Sequence, residues 1–179
     1  MKKIPSFIAV SLFVAAPALG QAPAHSPYAG FEQRPIKALS AQQIDDLRAG
    51  RGMSLALAAE LNGFPGPLHV LELAKGLNLS DAQRAAVQEL LTKMKAETVP
   101  IGERLIVQEA DLDRLFASRT VTPASLAASM EAIGAIQAAL RHAHLKYHLS
   151  TLEVLTSDQV RRYVELRGYA GAAAHPRRH

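Results

Sequence analysis

The stretch LAASMEAIGAIQAALRHAHLKYHLSTLEVLTSDQ, residues 126–159, decides the fold. Its Leu126, Met130, Ile133, Gln137, Leu140, His144, Tyr147, Thr151 and Val154 recur at alternating steps of four and three. That is a heptad-like stripe on one long helix. Such a stripe needs a partner, and Val87, Leu91, Met94, Thr98, Ile101, Leu105, Gln108, Leu112 and Leu115 carry the same rhythm over residues 80–118. A short turn, residues 119–123, joins the two, and so short a connection forces antiparallel neighbours. The spacing sets Leu115 level with Leu126, Leu105 with Gln137, Ile101 with Leu140, Thr98 with His144 and Met94 with Tyr147. The expected class is all-α, a long antiparallel helical hairpin with flanking shorter helices.

Working outward, residues 1–20 read as a secretory signal peptide: Lys2 and Lys3, an apolar run, then Ala18, Leu19 and Gly20. The run is too short for a bilayer anchor, and a chain with no cysteine offers no lipoprotein attachment point. The expected product is a periplasmic protein cleaved near Gly20, with no membrane anchor. The formal net charge of +4 falls to +2 once Lys2 and Lys3 leave, too little to point to nucleic acid. Without cysteines the fold rests on packing alone, and 5% aromatic residues with no tryptophan favour closely packed helices.

Residues 21–38 contain three prolines and no periodicity and read as a flexible arm. Residues 39–169 form the expected single helical domain, and 170–179 a tail with nothing to bury. A first helix is expected over residues 40–61, loosened at Gly50, Arg51 and Gly52 and stopped by Asn62 and Gly63. Pro67 suits the first position of a short helix over residues 67–75. Pro100 removes an amide inside the first long helix, where a kink is expected.

Three helix starts share one pattern: Leu39, Ser40 and Gln43; Leu79, Ser80 and Gln83; Leu155, Thr156 and Gln159. Locally each is a capping box, worth about 1 kcal/mol. The second and third copies flank the hairpin, and an exported helical chain with L-[ST]-x-x-Q before and after such a hairpin resembles the Spy/CpxP family of periplasmic stress proteins, whose LTxxQ motif occurs twice. The match runs from residue 77 to about 169; the copy at Leu79 has Ser80 where the family has Thr, and residues 40–75 fall outside it.

The resemblance implies a chaperone that needs neither nucleotide nor cofactor. It would act as a homodimer and bind unfolded envelope proteins through a surface mixing basic and apolar groups, with Arg84 and Arg104 as candidate contacts. It also implies an alternative, a periplasmic heavy-metal-binding sensor or resistance protein. For that reading His144 and His148 share a helix face at i and i+4, with Glu97 and Met94 across the hairpin; such a set suits Zn, Ni, Co or Cu. His69 with Glu72 is a weaker pair, and His175 and His179 fall in the tail. No nucleophile elbow, phosphate loop or HExxH motif occurs, so no enzyme is expected.

Overall fold

Long helices begin here where a side chain can satisfy the amides that a first turn leaves unpaired. Ser80 accepts from the Gln83 amide and Gln83 returns to the Ser80 amide, 3.2 and 3.1 Å, and helix α4 (Asp81–Ala117) follows. Thr122 and Ser125 cap each other the same way ahead of α5 (Pro123–Val154). Between them Arg119 adopts a left-handed φ of 58°, which reverses the chain. In the computed structural model, which describes residues 27–169, these two helices pack antiparallel as the spine. The expected leader, residues 21–26 of the expected arm and the expected tail lie outside the described residues. Among the described residues there is no strand.

The level pairing shows in the contacts. Leu91, Met94 and Tyr147 form one apolar cluster; Leu105, Ile106, Ile133, Ile136 and Leu140 form another, and Leu105 and Gln137 border one groove. The stripe on α5 is broader than expected: Ile136, Ala143 and His148 are buried, whereas Gln137, Leu126 and Met130 are exposed. The cause is that α5 is covered by α4 on one side and by the preceding short helices on another. Helix α4 continues without interruption through the exposed Pro100.

The expected first helix is two. Helix α1 (Ala41–Arg48) starts at the Ser40 capping box, and α2 (Leu57–Glu60) begins only after a strap at residues 49–56. Gly50, with φ 64°, sits so close to α4 that a Cβ there would lie 2.9 Å from Thr98 Oγ1. The backbone therefore has to leave the helix to pass. Gly102 does the converse on α4, since a Cβ would lie 2.9 Å from the Leu47 carbonyl oxygen; its absence lets α1 cross α4 in contact. Upstream, Ile36 and Leu39 are buried in the same core, so the segment read as an arm through residue 38 is anchored before α1 begins.

Pro67 opens α3 (Pro67–Glu72) at its first turn. Helix α6 (Ser157–Leu166) folds back so that Tyr163 packs with Val70, Ala74, Leu77, Leu79 and Val87. Helices α3 and α6 gather at the open end of the hairpin and α1 lies across its turn half; around the turn, Val107 (53%), Phe116 (55%), Leu126 (36%) and Met130 (51%) are exposed.

Candidate functional site

The two L-[ST]-x-x-Q copies that flank the hairpin meet in space. Gln83 Nε2 donates to Gln159 Oε1 at 2.8 Å and Gln159 Nε2 donates to Gln83 Oε1 at 3.0 Å. The second amide protons go to the Val154 carbonyl, 3.0 Å, and the Leu77 carbonyl, 3.2 Å. Each Oε1 also accepts from its own cap amide, Ser80 or Thr156. Both carboxamides thereby use two donors and two acceptor positions. The pair clasps the entry of α4 to the junction of α5 and α6, with Leu79 buried and Leu155 half-buried beneath. The Ser40 copy caps α1 alone, and Gln43 borders the groove beside α5. The clasp has no polar valence left for a ligand; its work is structural.

Next to it lies a buried polar network that the sequence did not announce. Glu60, on α2, accepts at Oε1 from the hydroxyls of Tyr163 (2.6 Å) and Tyr169 (3.0 Å), with Arg167 Nε at 3.3 Å. Glu60 Oε2 is buried with no partner and lies 3.9 Å from His148 Nδ1. Burial first, and then the Glu60 bond, push the Tyr163 phenol well above the usual tyrosine range. His148 Nδ1 lies 2.6 Å from the Phe64 carbonyl; a carbonyl only accepts, so this nitrogen carries the proton.

His144 and His148 are both buried, and with Met94 they line a cavity of about 310 Å³ roofed by the strap and by Gly66, Pro67 and Leu68. His144 Nε2 is buried without a partner, and burial, with His148 second, holds this imidazole below its ordinary value. Glu97 does not join them. Lys146 Nζ lies 2.8 and 2.6 Å from its two oxygens and the Tyr147 hydroxyl donates at 3.1 Å. The Lys146 bond is the main cause holding this carboxyl below the usual range. Among the described residues no three His, Cys, Asp or Glu side chains converge as a metal ion would need. His69 Nδ1 pairs with Glu72 Oε2 at 2.8 Å on the exposed side of α3.

Arg84 and Arg104 are exposed on α4. Twenty residues of helix set them about 30 Å apart, so they belong to different surfaces. Arg104 borders a groove of about 400 Å³ with Val107, Gln108, Ala132, Ala135 and Ile136. Several of the other basic side chains are already paired, Lys93 with Glu89, Arg114 with Asp111, and Arg162 with Glu165. No helix among the described residues is long and apolar enough to cross a membrane. Comparison with known protein families, with curated proteins and with solved structures finds no match for this chain.

Proposed function

We propose that the protein is a nucleotide-independent, periplasmic chaperone of the Spy/CpxP type that holds unfolded envelope proteins on the exposed apolar side chains near the turn of its hairpin. The observation that carries this reading is the set of large apolar side chains left exposed toward the turn of the hairpin, Phe116, Leu126 and Met130, with Val107 exposed in the Arg104 groove on another face of α4. Exposed apolar side chains set among charged ones suit segments of unfolded chain, and a homodimer would double the surface on offer. The leader expected from residues 1–20 and the paired motifs support the same reading, which requires no catalysis and no cofactor.

Phe116→Ser combined with Met130→Ser removes two exposed side chains without touching the core, so stability should change by no more than about 0.5 kcal/mol per site. Losing ~1.4 kcal/mol of client binding would raise by about tenfold the concentration needed to halve the aggregation rate of a reduced, unfolded client. Arg84→Glu should leave that rate unchanged. If the unaltered protein at stoichiometric excess leaves aggregation kinetics untouched, the chaperone reading is wrong.

A second reading, the binding of a heavy metal, is favoured by one observation: Met94, His144 and His148 border a single cavity. Two imidazoles and a thioether suit soft monovalent copper better than zinc, nickel or cobalt, for which Glu97 is committed elsewhere. Copper(I) should raise the melting temperature of the wild type and not of His144→Ala/His148→Ala. Equal shifts in both would remove the metal.

A further inference from the structure

We propose that α1 and the strap behind it, residues 41–56, are a displaceable cover over the apolar face of the hairpin, whose release enlarges the client-binding surface. The inference rests on the chaperone reading for its purpose, though not for its geometry. Beneath the cover, Leu47 packs on Leu105, Ile106, Ile133, Ile136 and Leu140, with Ile44, Met53 and Leu55 half-buried around them; Ile36 and Leu39, upstream of the cover, are buried in the same cluster and would stay docked on release. On α5 this hidden face borders exposed apolar surface, since the buried Ile133 lies one turn beyond the exposed Met130. The cover occupies the place where an apolar segment of client would sit.

Several features make its attachment weak. Helix α1 has 8 residues, too few to persist as a helix away from its docking site. Its polar ties to the hairpin are solvent-exposed ion pairs, Arg48 with Glu103 at 3.1 Å and, just upstream, Lys37 with Asp113 at 3.4 Å. Pairs of that kind hold little. The strap stores backbone strain, with Met53 at φ 40° and Ser54 at φ 67° in the left-handed region that side chains avoid. Its packing is also incomplete on both flanks. A groove of about 810 Å³ runs between α1, the strap and α5, and the 310 Å³ cavity lies beneath Gly50 and Gly52.

The next segment is built differently. Glu60 is held by Tyr163 and Tyr169, the Phe64 carbonyl by His148, and Val70 is fully buried. Release would therefore stop at the start of α2, and α2, α3 and α6 would stay docked.

The test joins the cover to the hairpin. Arg48→Cys with Glu103→Cys supplies the only two thiols in a chain that has no cysteine, both at exposed positions, and a short bifunctional thiol reagent can bridge them. The joined protein should bind an apolar-surface dye several-fold less than the same variant unjoined, and should suppress client aggregation less. Leu47→Asp, which buries a charge under the cover, should raise dye binding several-fold while most helical ellipticity remains. Should Leu47→Asp fail to fold, the joined and unjoined forms decide alone.

Equal dye binding by joined and unjoined protein overturns the cover. If dye binding responds and aggregation is unaffected even by the wild type, the cover stands and the chaperone reading falls. If aggregation is suppressed equally by joined and unjoined protein and dye binding is also equal, the chaperone reading stands and the cover falls.

Discussion

Tyr163→Ala is expected to lower unfolding free energy by about 4 kcal/mol, the range for truncating a fully buried aromatic side chain. Tyr163 is 0% exposed and fills the space between α3, the start of α4 and α6. Its loss leaves a void among Val70, Leu77 and Val87 and also takes the nearest donor, at 2.6 Å, from the buried Glu60 carboxylate. Tyr163→Phe separates the two effects. The ring stays, and Glu60 keeps Tyr169 and Arg167, so about 1.5 kcal/mol should be lost, in line with one strong hydrogen bond to a charged group. Urea unfolding of the three proteins gives both differences. A Phe variant as unstable as the Ala variant would place the stability in the hydroxyl alone and contradict the packing account.

The hairpin was legible because its signal is long: two stripes of nine positions in one rhythm, joined by a turn too short for any other arrangement. The capping boxes at Ser40, Ser80 and Thr156 were legible because they are local, needing only a hydroxyl and a glutamine three residues on. That the same glutamines of the second and third boxes also grip each other was not readable. Pairing Gln83 with Gln159 depends on how α6 folds back, which no spacing encodes. The break between α1 and α2 was half legible: Gly50 and Gly52 marked a weak point, but only the closeness of Thr98 explains why the backbone must turn there. The Thr122 box was missed because Ser125 replaces the usual glutamine.

For the candidate site, the sequence grouped His144 and His148 correctly, since i and i+4 share a face on any helix, and it placed Met94 near them through the hairpin level. Glu97 failed because a level says nothing about which way round α4 a side chain points; Lys146 and Tyr147 claim it on another side. Glu60 gave no signal at all. One acid in a four-residue helix reads as solvated, and its burial comes from Tyr163 and Tyr169, about a hundred residues further along the chain. Arg84 and Arg104 were grouped on charge alone, which carries no distance; the helix rise separates them.

Stability should also fall as pH drops below about 6.5, the ordinary histidine value, through His144. Burial, and secondarily His148, hold the His144 imidazole below that value in the folded protein, so on acidification the unfolded chain takes up the proton first. Above about 6.5 neither state binds it and this group gives no slope; below, the unfolded state gains, by at most about 1.4 kcal/mol per pH unit, until the folded ring itself protonates. The groups facing the ring offer no relief. Arg51 from the strap, Lys95 from α4, His69 from α3 and His148 from α5 line its cavity, and no carboxylate does. Glu60, beyond His148, is engaged by two tyrosines and Arg167. Carboxylates held low by partners, such as Glu97 and Asp46, lose their contribution only as pH falls below the ordinary carboxylate range, about 4. Urea unfolding between about pH 7.5 and pH 5 spans the histidine range, and comparison with a variant lacking His144 removes contributions from other groups, such as Glu109, whose carboxyl burial pushes up. His144→Leu, similar in volume and unable to titrate, should flatten the curve relative to the wild type over that interval. Curves of the same slope in both proteins would show that His144 is not what makes the fold acid-sensitive.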